Sequence, residues 1–349
     1  MKNPEQVYFD RKIASWLFIC AVVIFLMILL GGITRLTNSG LSMVEWKPLV
    51  GIIPPLSEAA WIEVFDKYKQ FPEYQKINSH MNLAEFKSIF LFEYAHRVLG
   101  RLIGILFLLP FLYFKFTGKI KPGLTPKLVL LFFLGGMQGL LGWYMVKSGL
   151  VNNPHVSQYR LTAHLGLAVV VYGYMLWVTF DLLFADSRLT IRHDGLARFS
   201  VLLVALIFLM ILSGGLVAGT HAGLAYNTWP LMGNSLVPAG LYSSSSVWLD
   251  IFENITTVQF NHRIFAYILF ILISAFSLML FKSKLPNRIK AGGVAFLSML
   301  LLQLTLGITT LLFHVPVILG TAHQGGAVVL FTAALFVCHC LTRPNQSRQ

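Results

Sequence analysis

The segment IFLMILLGGITRLTNSGLSMVEW at 24–46 returns as IFLMILSGGLVAGTHAGLAYNTW at 207–229. That repetition restricts the chain to folds built from two copies of one unit. The rest of the sequence keeps the same register. EYAHRVLG (93–100) pairs with QFNHRIFA (259–266), QGLLG (138–142) with QLTLG (303–307), and TAHLGLAVVV (162–171) with TAHQGGAVVL (321–330).

Each unit is apolar in a way that only a membrane accommodates. Hydrophobic residues make up 56% of the 349 and charged residues 12%, a balance no water-facing surface carries. Apolar runs near 14–33, 90–114, 128–147, 161–183, 199–218, 260–281, 291–313 and 319–341 are each long enough to cross about 30 Å of hydrocarbon as a helix. The expected fold is an all-α membrane protein whose eight transmembrane helices form two pseudo-symmetric four-helix bundles, residues 1–190 and 191–349. An even number of spans per half sends both halves in from the same side, as parallel repeats about an axis along the membrane normal.

The formal net charge of +13 does not imply a nucleic-acid partner, because the basic residues are spread over short connections. Segments 115–127 and 282–290 each carry four Lys/Arg and no acid, and 184–198 adds Arg188, Arg192 and Arg198. By the positive-inside rule these connections, both termini included, face the cytoplasm. The N-terminus shows neither a cleavable signal pattern nor a long import presequence, so a bacterial inner membrane is the expected address. Cys20, Cys338 and Cys340 lie inside apolar runs and offer no disulfide framework. Long outer loops follow the first span of each half, at 34–89 and 219–259. In the first, Asn82 to Glu85 reads as a capping box and 57–76 as a helix lying on the interface.

His96, His164, His262 and His323 occupy matching places in the repeat, near the outer ends of spans two, four, six and eight. Histidines inside a membrane are costly, and four at matching depth point to function. Two imidazoles per bundle, level with each other on different helices, form a pair able to ligate one porphyrin iron from both faces. His80, His155, His193, His221, His314 and His339 lack this pairing and read as surface or loop residues. Arg97 and Arg263 each follow a candidate ligand, where a guanidinium can meet a heme propionate or snorkel to the interface. Glycines within the spans, Gly142 and Gly307 among them, serve close helix packing and leave room for a flat ring.

One asymmetry separates the halves. Glu93 lies three residues before His96 on the same helical face, and its counterpart is Gln259. One half thus keeps an ionisable group beside its candidate site, although a simple ion pair with Arg97 also accounts for the residue. A carboxylate-bridged di-iron site needs more carboxylates than these spans contain.

The segments GGITRLTNSGLSMVEWKP, FEYAHRVLGRLIG, TAHLG, NHR and TAHQGG, together with the four-plus-four duplication, resemble the heme A synthase family over the full length. The resemblance implies oxidation of a methyl group of heme O to a formyl group by two successive hydroxylations and loss of water. It implies heme b as cofactor on His262 and His323 with Arg263 nearby, heme O on His96 and His164 with Arg97 nearby, and Glu93 as the essential carboxylate. The absence of an outer-loop cysteine pair places the resemblance with the class found in proteobacteria and mitochondria. Implied partners are heme O, membrane lipid, the heme O-producing protoheme farnesyltransferase and an electron donor of unspecified identity. Two rival readings are a non-catalytic diheme b-type electron-transfer protein and a heme carrier.

Overall fold

A computed structural model of the protein describes residues 4–45, 53–150, 156–184, 194–244 and 246–343. Trp46, Lys47, Pro48, His155, Arg188, Arg192, His193, Arg348 and the boundary between 190 and 191 lie outside them. Among the described residues, eight helices are long and apolar enough to cross a membrane: α1 (Pro4–Leu36), α3 (Leu83–Phe116), α4 (Leu124–Gly149), α5 (Gln158–Leu183), α6 (Asp194–Gly219), α8 (Ile255–Lys282), α9 (Asn287–Leu312) and α10 (Val317–Thr342). Two short helices, α2 (Glu58–Tyr68) and α7 (Val247–Glu253), belong to the outer loops. Among the described residues there is no strand, and the chain is a multi-pass membrane protein.

The helices pack in two rings of four. In the first half α1 packs on α3, α3 on α4, α4 on α5 and α5 back on α1; α6, α8, α9 and α10 repeat this order in the second. The halves meet through α1 on α10, the matching α6 on α5, and α5 on α10 along the pseudo-symmetry axis. Lipid gives helices no hydrophobic reason to associate, so close approach at small residues carries the contact. A Cβ at Gly325 would meet Leu29 Cδ2 at 2.6 Å, and one at the equivalent Gly166 would meet Leu212 Cδ2 at 2.7 Å. On the axis itself the hydroxyls of Tyr172 and Thr332 lie 2.8 Å apart. Helices α5 and α10 are accordingly the most buried of the eight.

Ion pairs mark the end of the bundle that holds the N-terminus: Lys119 with Glu5 at 2.8 Å, Lys121 with Asp10 at 2.9 Å and Lys127 with Asp181 at 2.9 Å. At the opposite end α3 starts well before the apolar run that predicts it, because Asn82 and Glu85 form the expected capping box and satisfy the first amides of the helix. The helix expected over 57–76 is instead α2, capped by Ser57 and ending at Tyr68, followed by a π-helical turn at Tyr74–Asn78. Pro72 opens the second segment, where a proline is tolerated in the first turn, and its missing amide cannot continue α2. Nor does α2 rest on lipid alone: Phe65 and Tyr68 stack on Phe86 of α3 at 4.9 and 5.1 Å, and Trp61 meets Phe90 edge-on at 5.1 Å. This aromatic layer roofs the first half.

Candidate functional site

Each histidine of interest sits about two turns inside its helix from the outer end, or, on the extended α3, beyond the capped outer segment. His96 (α3) and His164 (α5) stand close enough to interact electrostatically, as do His262 (α8) and His323 (α10). Every one of the four rings lies against a glycine of a neighbouring helix. A Cβ at Gly31 would come within 3.2 Å of His96 Nε2, and one at the matching Gly214 within 3.5 Å of His262 Cε1. At Gly142 and Gly307 the corresponding approaches to His164 and His323 Cε1 are 2.8 Å. A Cβ at Gly142 or Gly307 would force the ring to move, one at Gly31 would need it to give by a few tenths of an ångström, and one at Gly214 would make an ordinary contact.

Polar side chains brace the same rings. Gln138 donates to the His164 carbonyl at 3.0 Å, and the equivalent Gln303 to the His323 carbonyl at 2.9 Å. Ser213 Oγ lies 3.0 Å from His262 Nδ1, and Gln303 Nε2 lies 3.1 Å from His323 Nδ1. In the first half His164 Nδ1 is buried without a partner. The donor set fits an iron porphyrin, which His96 with His164, and His262 with His323, would hold through their imidazoles. Among the described residues no group of three or more His, Cys, Asp or Glu could hold a bare metal ion, so Glu93 lacks the further carboxylates that a di-iron arrangement needs.

Above each pair an arginine fastens the outer loop. Arg97 donates through Nη2 to the Met43 carbonyl at 2.9 Å and to Glu93 Oε1, and through Nη1 to the Glu45 carbonyl at 3.4 Å. Arg263 does the equivalent, with Nη2 to the Tyr226 carbonyl at 2.8 Å and Nη1 to the Thr228 and Leu231 carbonyls at 2.9 and 3.2 Å. Met43 and Tyr226 are counterparts in the repeat, as are Glu45 and Thr228. The two clamps therefore share two backbone acceptors, to which Arg97 adds the Glu93 carboxylate and Arg263 the Leu231 carbonyl. Glu93, 3% exposed, accepts from Ser42 Oγ at 2.7 Å, the Met43 amide at 2.9 Å and Arg97. All three partners donate, matching the acceptor-only oxygens of a carboxylate. Gln259 instead donates to the Tyr226 carbonyl at 3.1 Å, and Ser42 is replaced there by Ala225. The Glu93–Arg97 pair is buried, where an exposed ion pair of small energetic weight would have been the simplest reading of its spacing.

Behind this clamp a second carboxyl is enclosed. Glu73 accepts from the Tyr68 hydroxyl at 3.0 Å, and Asn78 donates to that hydroxyl at 2.8 Å. Burial, with the nearby Glu93 charge, pushes the Glu73 carboxyl up to about 7.

Several site residues carry no obvious sequence signal. Arg35, whose counterpart is Ala218, reaches from α1 into the second half, donating to the Ala218 carbonyl at 2.9 Å and standing 2.8 Å from His221 Nε2. An arginine at the end of an apolar run without a partner in the repeat is the one hint of it. Gly31 and Gly214 are visible only as part of the repeated Gly-Gly. His80 and His314 are exposed, as expected, but His339 is not a surface residue: it is 2% exposed on α10 and bonds Asp181 of α5 at 3.1 Å. Its apolar surroundings on a central helix required a partner.

The sequence profile of the cytochrome oxidase assembly protein family matches residues 14–335. A heme A synthase of Nitrosospira multiformis is 52% identical, covering 98% of this chain and 97% of its own. Heme A synthases of Nitrosomonas eutropha and Paramagnetospirillum magneticum are 51% and 50% identical, each covering 95% of this chain and 94% of its own.

Proposed function

Because the chain belongs to the cytochrome oxidase assembly protein family, we propose that it oxidises heme O to heme A, receiving heme O in the half 1–190 and keeping a heme b in the half 191–349. Relatives named heme A synthase match it over 95–98% of its length, and the family binds heme. The observation that carries the division of labour is Glu93 against Gln259 in two otherwise duplicated clamps.

Bound heme supplies redox chemistry that amino-acid side chains lack. The chain's own residues hold and orient. His96 and His164 ligate the substrate iron, and His262 and His323 ligate the heme b iron. Arg263 has a buried Nε without a protein partner, a donor left for a propionate, and Arg97 places its charge at the outer rim of the substrate site. Glu93, fixed by three donors, holds negative charge at one place beside His96, where it stabilises positive charge developing on the substrate methyl in a site shielded from water. The aromatic layer of Trp61, Phe65, Tyr68, Phe86 and Phe90 keeps the first site dry from above.

The charge bias of the connections supports a bacterial inner-membrane location with both termini in the cytoplasm and the histidines toward the periplasm. The farnesyltransferase that makes heme O is the natural supplier of substrate, and an electron donor of unspecified identity is the further implied partner. The test is expression beside a heme O-producing farnesyltransferase in a host without heme A. Extracted porphyrin should include the formyl-bearing heme A; heme O persisting unchanged beside heme b would favour a diheme electron-transfer protein.

A further inference from the structure

An enzyme whose substrate and cofactor are both hemes must release one and keep the other, although its two sites descend from one duplicated unit. The bracing of the imidazoles differs between the halves in a way that meets this demand. An imidazole that offers Nε2 to iron carries its proton on Nδ1, and a hydrogen-bond acceptor there fixes the tautomer, sets the ring plane and raises the basicity of the ligand. His262 has such a partner in Ser213 Oγ at 3.0 Å. Ser213 immediately precedes Gly214, against which the His262 ring lies, so acceptor and cradle sit side by side on α6. The counterpart of Ser213 is Leu30, which offers no acceptor, and among the described residues the His96 ring makes no hydrogen bond.

The hydroxyl is also placed unusually. Serine and threonine inside apolar helices generally bond back to a carbonyl one turn earlier, as Thr34 does to Leu30 at 2.8 Å and Ser200 to Ala197 at 2.7 Å. Ser213 is instead turned across to α8.

We propose that Ser213 is the positioning residue that makes the second-half site a permanent heme site, holding His262 with Nδ1–H on Oγ and Nε2 toward the porphyrin iron. Leu30, at the matching place, leaves His96 unbraced so that its porphyrin exchanges after turnover. The inference rests on the reading of the second half as the heme b site.

The test uses the full-length protein in detergent, with Ser213→Ala, Ser213→Thr and Leu30→Ser. Transfer of heme b to an excess of a heme-scavenging apoprotein gives the release rate, and a redox titration gives the midpoint potential of the low-spin heme. Ser213→Ala should release heme b about 10- to 100-fold faster and titrate at a more positive potential, since a less basic ligand favours ferrous iron. Ser213→Thr, which keeps the hydroxyl, should restore both, and Leu30→Ser should slow porphyrin release from the first half. Wild-type release and potential in Ser213→Ala, or failure of Ser213→Thr to restore them, would overturn the proposal. A His262→Ala control separates the premise: heme b surviving that substitution would show the halves to be misassigned, whatever Ser213 does.

Discussion

Replacing Glu93 by glutamine copies the residue already present at the equivalent place, and the two clamps allow its cost to be worked out. Glu93 and Arg97 side chains are 4% and 11% exposed, so removing the carboxylate leaves a poorly hydrated guanidinium, at about 3–5 kcal/mol for a broken buried pair. Part of this is recovered. Glutamine Oε1 can still accept from Ser42 and the Met43 amide, at about 1 kcal/mol for a neutral bond. Arg97 also retains the Met43 and Glu45 carbonyls, much as Arg263 is served by carbonyls alone. The clamp should therefore loosen by about 2–3 kcal/mol, raising its local opening constant roughly 30- to 150-fold. The Met43 amide, which donates to Oε2 at 2.9 Å, reports this directly through hydrogen exchange. Its protection should fall by that factor in Glu93→Gln while amides of α5 and α10 stay unchanged, and heme A formed per heme b-loaded protein should fall with it. Unchanged Met43 exchange would refute the buried-clamp reasoning, and near-normal heme A yield would remove the carboxylate from the chemistry.

Other perturbations test other layers. Phe86, fully buried and stacked on two rings of α2, should cost about 3–5 kcal/mol as Phe86→Ala; limited proteolysis should then cut within 58–78, and resistance equal to wild type would contradict the packing. Burial raises the Glu73 carboxyl from the ordinary carboxylate range to about 7. A carboxyl raised on folding adds stability at acid pH that is lost as pH climbs through its folded value, on the order of 3 kcal/mol across that interval. The outer layer should thus melt lower at pH 8 than at pH 5.5, and Glu73→Gln should flatten the difference; a wild-type profile in that variant would contradict it. Reporter fusions after residues 120 and 286 should read as cytoplasmic and one near residue 70 as periplasmic, with the reverse pattern inverting the sites.

The helices and their duplication were legible because hydrophobic length and repeat register are properties of side chains in order, as in 24–46 against 207–229. The capping box at Asn82 was legible for the same reason. The histidine pairs could be anticipated from matching depth, but not what holds the rings. Arg97 and Arg263 act through the carbonyls of Met43, Glu45, Tyr226 and Thr228, and backbone acceptors leave no trace in a sequence. The break after Tyr68 was signalled by Pro72, yet the amphipathic pattern on both sides of it suggested one continuous helix. Partners far apart in the chain were the least visible. His339 finds Asp181 at a separation of 158 residues, and Arg35 finds the Ala218 carbonyl 183 residues away; only the packing of one half on the other brings them together.

The central claim, that one duplicated half holds the cofactor and the other the substrate, is tested most directly by the porphyrins that single-histidine variants retain. Wild-type protein, His96→Ala and His262→Ala would be purified from cells making heme O, and their hemes extracted and separated. Losing one of two histidine ligands should weaken heme binding at that site. Wild type should yield heme b with heme O or heme A, His262→Ala should lose heme b, and His96→Ala should keep heme b while forming no heme A. Equal loss of heme b from both variants would contradict the division between the halves.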